Sequence, residues 1–548
     1  MKSVLIIGGY GGFGARLSKR LAAAGHHVLV AGRTYARAEA FCAGIANCEP
    51  VEADRENGIG LVLARLRPAL VIDASGPFQS SDYMVAEACI AMHIPYLDLA
   101  DARAFVVGIS RLDKAAQLAG IPVISGASSM SGLSGAVLRR LAEDMTQVDA
   151  VEMAISASNR SSAGPSVAAA ILSYVGKPLR LWRGKRWMTS NGWQEMRRSD
   201  FVLPDGDGLK RRWIAVADVP DHDIAPDMLP GRPAVTFRAG TELGFQMIGL
   251  WLASWPVRWG WIGSLDRARR WLLPLYRATL GWGSDRSAMN VTIVGRSGTR
   301  RLERQWTLVA SHGDGRDIPT LAAALLAEDM LADRVAPGAR HAWGELDLDR
   351  FEPLFAILAV RHDTSERELP SPLYARLMGP RFAALPAMVR AIHDVAADGG
   401  AEGEGVVARG RGPLVRLIAA IMRFPPSGSY PLHVAFAEKD GAETWTRDFG
   451  GHCFSSRMRA HRGRLVERFG PIRFAFDLPS DESGLRMELH SWTIFGIPLP
   501  VALAPRIVAR EWQEEDRFRF EVDVAMPLLG RVVRYSGWLQ PVGEIGGG

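Results

Sequence analysis

At 548 residues the chain is too long for one hydrophobic core and long enough for about three or four domains. Hydrophobic residues at 48% and charged residues at 23% exclude a mainly disordered chain, a collagen-like fibre and a polytopic membrane protein. The net charge of +6 is carried almost wholly by arginine, since only seven lysines occur, and no long run of like charges reads as a nucleic-acid arm.

The N-terminal residues pass from Met1 straight into the apolar run SVLIIGG, with no small-residue cleavage site behind it. That start is expected of an intracellular, cytoplasmic domain rather than a signal peptide. Four cysteines (Cys42, Cys48, Cys89, Cys453) form no C-x-x-C pair, so neither a disulfide scaffold nor a zinc site is expected.

Over residues 1–145, apolar runs alternate with helical patterns: SVLIIGG, HHVLVAGR, CEPVEAD, ALVIDASG, PYLDLAD and IPVISGAS are each followed by a helix-like segment. Continuous apolar strands at this spacing predict an α/β domain with a Rossmann-type doubly wound parallel sheet. Over 146–365, the runs VDAVEMAISAS, RRWIAVADV, RPAVTFRAG, AMNVTIVGR and RLERQWTLVAS predict antiparallel strands. A hairpin at RSGTR and a helix at PTLAAALLAEDMLAD complete an α+β domain expected to hold substrate and dimer contacts. Residues 372–541 open with the helical stretch PRFAALPAMVRAIHDVAA and the glycine-rich segment DGGAEGEG, expected as a loop. Short alternating strands follow, predicting a β-rich C-terminal domain with a twisted sheet or barrel. The terminal GGG reads as a frayed end.

The first chemical motif is Gly9-Tyr10-Gly11-Gly12-Phe13-Gly14, a G-x-G-x-x-G spacing that follows the first strand and opens a helix. In this setting Gly9 serves the tight turn, Gly11 lets the backbone approach a pyrophosphate, and Gly14 packs helix against strand. The helix N-terminus adds free N–H donors and partial positive charge for the phosphates. The second strand ends Gly32-Arg33-Thr34, with Arg37 beyond, where an NAD site usually carries a carboxylate. Arg33 can pair with a 2′-phosphate and Thr34 can add a hydroxyl contact, so NADP is the expected cofactor.

Residues 3–145 resemble the NADP-binding domain of the saccharopine dehydrogenase (reductase-like) family in GGYGGFG, AGR, SGPFQSSDYMVAEACIAMHIPYLDLAD and IPVISGASSMSGLSG. The segment DIPTLAAALLAEDMLAD through GARHAWGELDLD resembles the second domain of such proteins. Ala100-Asp101 departs from the Gly-Glu common among relatives, and the GASS loop lacks their usual G-x-G character. Residues from about 372 resemble an uncharacterised bacterial domain fused to such reductases, in WTRDFGG, LVERFGPI, FGIPLPVALAP and YSGWLQP.

Ligands of an open α/β sheet lie across the C-terminal ends of its strands. That places Ser75, Gly76, Pro77 and Phe78 after the fourth strand, with Gly76 near the nicotinamide ribose and Phe78 against the ring. Asp54, after the third strand, is a candidate for the adenine end. Tyr96 and Asp98 at the fifth strand are the candidate catalytic residues, with Asp101 near the same crevice; packing for Tyr96 and a loop hydrogen bond for Asp98 are the alternatives. Ser128 and Ser129 are candidates for substrate or cofactor amide.

No G-x-S-x-G elbow occurs at the serine-rich loop. Asp221-His222-Asp223 lacks the residues to complete a metal set, His452-Cys453 reads as a small buried cysteine, and Asp347 and Asp349 as a solvated face. Ten of the sixteen tryptophans lie between Trp182 and Trp282. Within residues 245–276 the uncharged run ends at Arg258, short of a bilayer span. A peripheral contact with the inner face of a membrane and an aromatic homodimer or domain interface both suit that stretch.

Two functions fit these residues. One is an NADP-dependent oxidoreductase transferring hydride to or from a small-molecule substrate, apolar ones included. The other is a non-catalytic NADP-binding regulator whose C-terminal domain binds a lipid-like ligand or a partner.

Overall fold

The computed structural model describes residues 2–160, 165–265, 268–527 and 529–542. The GGG end lies outside the described residues.

The N-terminal domain alternates β1 (Ser3–Ile7), α1 (Gly14–Ala23), β2 (His27–Gly32), α2 (Tyr35–Cys42), β3 (Cys48–Glu52), α3 (Ile59–Leu66) and β4 (Leu70–Asp73). It continues through α4 (Met84–Ala91), β5 (Tyr96–Asp98), α5 (Arg103–Gly108), α6 (Asp113–Ala119), β6 (Pro122–Ser125) and α7 (Gly132–Leu141). Six strands pair in the order β6-β5-β4-β1-β2-β3, all parallel. Val4, Leu5, Ile6, Val28, Val30, Val71 and Ile72 are buried because helices cover both faces of this sheet.

The middle segment supplies β7 (Gln147–Ser156), α8 (Pro165–Tyr174), β8 (Pro178–Arg183), β9 (Arg186–Asn191), β10 (Arg197–Val202) and β11 (Gly208–Val216). After these come α9 (Asp221–Met228), β12 (Ala234–Gly240), α10 (Gly244–Arg258), α11 (Arg269–Ala278), β13 (Ser287–Ser297) and β14 (Arg300–Ala310). Then α12 (Ile318–Leu331), β15 (Gly338–His341), α13 (Glu352–Ala356) and β16 (Val360–Glu368) follow. Strands β10-β11-β12-β7-β13-β14-β16 form one sheet, and the β13–β14 hairpin turns at Gly298, whose φ of +58° is the left-handed value this turn needs.

Two expectations are corrected here. Strands β7 and β12 were expected to be antiparallel partners but pair in parallel, because α8, β8–β11 and α9 separate them and return the chain to the same end. The helix α12 and strand β15 were assigned to the middle domain, yet β15 adds a seventh parallel strand to the first sheet beside β6. Asp317, at the start of α12, pairs with Arg16 and Arg20 of α1. One continuous core runs through both sheets.

Residues 373–393 fold as three short helices, α14 (Leu373–Met378), α15 (Pro380–Ala383) and α16 (Ala387–His393); the stretch PRFAALPAMVRAIHDVAA, expected to be helical, is divided between the last two because Pro386 breaks it. Ahead lie β17 (Asp398–Arg409), α17 (Pro413–Ile421), β18 (Gly428–Lys439), β19 (Ala442–Phe449), β20 (His452–His461), β21 (Arg464–Phe469) and β22 (Ile472–Asp477). The chain ends with β23 (Ser480–Asp481), β24 (Gly484–Ile494), β25 (Ile497–Leu499), β26 (Arg506–Glu514), β27 (Arg517–Met526) and β28 (Gly530–Pro541). The antiparallel sheet β22-β21-β20-β19-β18-β17-β28-β27-β26-β24 closes on itself through a β22–β24 pairing, giving a barrel with its own core. The DGGAEGEG segment, expected as a loop, lies inside β17. Its glycines are there for close backbone approach: a Cβ on Gly403 would come within 1.9 Å of the Trp538 carbonyl oxygen, and one on Gly400 within 2.0 Å of the Gly184 carbonyl oxygen.

The barrel wall docks on the β8–β9 turn of the middle segment. The half-buried carboxylate of Asp398 accepts from the Gly184 N–H with both oxygens (2.9 and 3.0 Å), and His433 Nε2 donates to the Gly184 carbonyl at 2.8 Å. Burial pushes Asp398 up to about 7, against the pull of the Gly184 N–H. A carboxyl whose folded pKa is raised binds its proton more firmly folded than unfolded, so stability falls as pH rises from about 4 to 7. We expect the unfolding temperature of wild type to drop relative to Asp398→Asn over that window, at about 2–4 °C for each kcal/mol. A difference between the two proteins that stays flat with pH, followed by scanning calorimetry, would show that Asp398 is ionised in the docked state.

Candidate functional site

A crevice of about 1130 Å³ runs over the C-terminal ends of β1 to β4 and against the middle sheet at Ile155, Phe237 and Met289. Its N-terminal side is the glycine loop. The left-handed residue of the turn is Gly8 (φ +74°) rather than Gly9, because the chain reverses one residue earlier, directly after β1. Gly9 stays tight for another reason: a Cβ there would lie 2.8 Å from the Ile6 carbonyl oxygen. A Cβ on Gly14 would lie 2.1 Å from the Gly8 carbonyl oxygen, so α1 can cross this closely over the turn after β1 only because residue 14 has no side chain. Tyr10, Gly11, Gly12 and Phe13 line the crevice. Among the described residues the N–H groups of Gly12 and Phe13 have no protein acceptor, which leaves them for an anion at the start of α1.

At the end of β2, the ring of Tyr10 lies against Gly32, where a Cβ would meet it at 2.4 Å. The Tyr10 hydroxyl accepts from the Thr34 N–H (3.3 Å), and the Arg37 guanidinium lies 4.9 Å from the ring centre. Arg33 is exposed beside this group and forms no ion pair among the described residues. Asp54 turns its carboxylate to the Glu56 N–H (3.1 Å) and Asn57 (3.2 Å), which hold its pKa below the ordinary value with help from Arg33. Asp54 thus shapes the turn after β3 and lines the crevice.

Sequence reasoning missed the residues beneath β4. Asp73, fully buried at the strand end, accepts from the Ser75 N–H (2.9 Å) and faces Arg55 at 3.4 Å. Burial raises the Asp73 carboxyl, and Arg55 and Ser75 oppose that rise. Arg55 also donates to Ser75 Oγ (3.4 Å) and lies 5.0 Å from the Phe78 ring centre. Phe78 is buried against Phe105 (5.2 Å), and the Gly76–Pro77 peptide is cis. The available signal was a carboxylate closing the apolar run LVID.

Tyr96 and Asp98, expected as catalytic residues in the crevice, are enclosed in the sheet, and neither lines it. Asp98 Oδ1 accepts from the Ala100 N–H (3.0 Å), Ser125 Oγ (3.0 Å) and the Gly126 N–H (2.8 Å), bracing β5 to the loop after β6. Burial raises Asp98 to about 6, and burial also raises the Tyr96 phenol. The crevice is lined instead by Asp101, exposed there with Gln79 at 3.4 Å, and by Tyr174, Asp218, Ser128 and Ser129. Protein crowded around Asp101 raises its carboxyl, and burial with the nearby Asp101 and Asp218 charges raises the Tyr174 phenol.

Behind these residues, Arg103 of α5 spans the two sheets. It holds Asp223 through two bonds (2.7 and 2.6 Å), Asp218 at 3.1 Å and the Arg180 carbonyl at 2.8 Å. Between its two neighbours, His222 is buried and accepts from the Phe237 N–H through Nε2 (3.0 Å). Asp221 accepts from Ser134 Oγ (2.6 Å) and the Ser131 N–H (3.0 Å), tying α9 to α7. Elsewhere Cys453 is exposed on β20, contrary to the buried setting expected, because its side chain falls on the outward row of the barrel. Asp347 is exposed and pairs with Arg139 at 3.2 Å.

The tryptophan-rich stretch is mainly α10 and the turn after it. Trp251, Trp255, Trp259 and Trp261 follow one another at centroid spacings of 5.7, 5.3 and 4.8 Å. Phe245, Ile248 and Leu252 form an exposed apolar row on α10, and Trp261 is 72% exposed. Residues 266 and 267 and the side chains of 269, 271, 273 and 275 lie outside the described residues. No helix among the described residues is long and apolar enough to cross a membrane.

Residues 4–124 match the saccharopine dehydrogenase NADP binding domain, and residues 385–539 match a domain of unknown function, DUF4166. Similar solved structures include an amine dehydrogenase from Mycobacterium smegmatis, 10% identical, covering 62% of this chain and 95% of that one with a TM-score of 0.35. Another is GenD2 from gentamicin A biosynthesis in complex with NAD, 14% identical, covering 54% of this chain and 70% of that one with a TM-score of 0.26. No curated protein matches the chain. The chain carries a saccharopine dehydrogenase NADP binding domain at its N-terminal end and a DUF4166 domain at its C-terminal end.

Proposed function

We propose that the protein is an NADP-dependent oxidoreductase whose substrate sits between the strand ends of the first sheet and the face of the middle sheet. The observation that carries this reading is one continuous crevice joining the glycine loop to Asp101, Tyr174 and Asp218. NADP, when bound, supplies or accepts the hydride.

The chain's own residues provide binding and proton handling. The Gly12 and Phe13 N–H groups suit the pyrophosphate, and Arg33 with Thr34 suits the 2′-phosphate; Tyr10 and Arg37 fix the shape of that pocket. Arg55 and Ser75, locked by Asp73, shape the floor after β4. Asp101 reaches the crevice and has a carboxyl raised above its ordinary value, which suits it to hold or pass a proton, and Tyr174 orients the substrate from the opposite wall. Apolar neighbours such as Ile155, Ile171 and Met289 favour a substrate with an apolar part.

Arg33→Asp tests the cofactor assignment. We expect the NADPH dissociation constant to rise by about 10- to 150-fold, the equivalent of losing one charge-assisted hydrogen bond, while that for NADH changes little. Unchanged preference removes Arg33 from the site. NADPH consumption across fractions of apolar carbonyl and imine compounds tests the reaction. Tight NADPH binding without turnover on any fraction would favour a regulatory NADP-binding protein instead.

A further inference from the structure

The C-terminal barrel is hollow. Inward rows of β19 to β28 enclose a cavity of about 260 Å³, lined by apolar and aromatic side chains except for Arg447, Glu467, Arg510 and Glu511. Apolar space left inside a closed barrel is a binding feature rather than a packing one, since interiors otherwise fill to crystal-like density. The polar groups are organised. Arg447 donates to Ser456 Oγ at 3.0 Å and lies 4.0 Å from Glu467, while Glu511 accepts from the buried His393 at 2.6 Å. Tyr535 lines the same cavity, and its hydroxyl takes part in none of the hydrogen bonds among the described residues, so it is open to a group entering the cavity.

One end of the barrel is dressed for apolar entry. Ile418, Met422 and Phe424, on and just after α17, line the cavity, while Leu417 (55% exposed) and Ile421 (70%) of the same helix face out. The turn between β24 and β25, directly after the cavity-lining Ile494, exposes Phe495 (82%).

We propose that the barrel interior is a binding site for a slender apolar molecule bearing one neutral hydrogen-bonding head, such as an alcohol or a carbonyl. The head meets Tyr535 and Arg447, and the apolar body runs toward α17. A cavity of this size holds about nine heavy atoms at roughly 30 Å³ each, so the end of a ten-carbon chain reaches past it into the mouth at α17. An anionic head is disfavoured, because Arg447 is already faced by the carboxylate of Glu467, Arg510 pairs with Glu521 at 3.5 Å, and Glu511 is a further carboxylate of the lining.

Isothermal titration of the full chain with 1-decanol and with decanoate at pH 8 tests this. We expect one decanol per chain and at least about tenfold weaker binding of decanoate. Ala509→Phe, which fills the cavity from β26, should weaken decanol binding at least tenfold while leaving NADPH affinity unchanged; Tyr535→Phe should weaken it several-fold. If Ala509→Phe loses NADPH binding as well, Val522→Trp provides the obstruction from β27. No decanol uptake up to its solubility limit, or uptake that both filling variants leave intact, overturns the site. Decanoate binding as tightly as decanol overturns the neutral head.

Discussion

Gly14→Ala should raise the NADPH dissociation constant by about 100-fold or more, an effect worth about 2.7 kcal/mol. The added Cβ would stand 2.1 Å from the Gly8 carbonyl oxygen and 2.9 Å from the Gly8 carbonyl carbon, both backbone atoms that cannot rotate away. Relief requires α1 to move off β1, and that helix start is what aims the Gly12 and Phe13 N–H groups at the phosphates. Overpacking of this kind costs about 1–3 kcal/mol in its own right, so stability of the N-terminal domain falls too. Gly60→Ala is the matched control: it lies in α3 with open space around the added methyl and a negative φ. Fluorescence titration should show loss for the first variant and wild-type affinity for the second. Retained affinity in Gly14→Ala would mean that the glycine loop does not position the phosphates.

The same residues show how far the sequence was readable. Strands β1, β2, β4 and β6 are continuous apolar runs, and parallel strands covered on both faces leave no other pattern, so the first sheet could be drawn from local signals. Strand β15 carries only Gly338-Ala339-Arg340-His341, with no apolar run to announce it; its place beside β6 comes from a long-range return of the chain. Barrel closure is of the same kind. The alternation in β22 and β24 was visible, but nothing local in either strand specifies that they pair with each other.

At the site, the glycine spacing and the arginine after β2 could be proposed from the sequence because their chemistry is local to one turn. The two proposed catalytic residues failed for a geometric reason. Strand β5 is three residues long, so Asp98 falls one step short of the open edge and is used up by Ser125 and Gly126, while Asp101, three residues on, reaches the crevice. Tyr174 and Asp218 face the cofactor domain from a segment with no motif. Only the folded crevice relates them to the glycine loop.

Arg103 shows how much stability such an unannounced contact carries. Its side chain is 8% exposed, and its partners Asp218 and Asp223 lie more than a hundred residues away on the middle segment. Burial raises both carboxyls, but the His222 and Arg103 contacts at Asp218, and the Arg103 and Arg180 contacts at Asp223, more than offset it and hold both below their ordinary values. Arg103→Met should therefore destabilise the joined N-terminal and middle sheets by about 3–5 kcal/mol, because it strands two partly buried carboxylates rather than merely removing one pair. A carboxyl with a depressed folded pKa adds stability above its unfolded value near 4 and loses it as pH falls through the folded value. The gap in urea midpoint between wild type and Arg103→Met should accordingly be full at pH 7 and close as the solution is taken below about pH 4. Adding Asp218→Asn and Asp223→Asn to Arg103→Met should recover much of the loss, since neutral amides need no counter-charge. If the triple variant is as unstable as the single one, packing of the arginine stem against Trp187, 5.7 Å from the guanidinium, accounts for the effect instead.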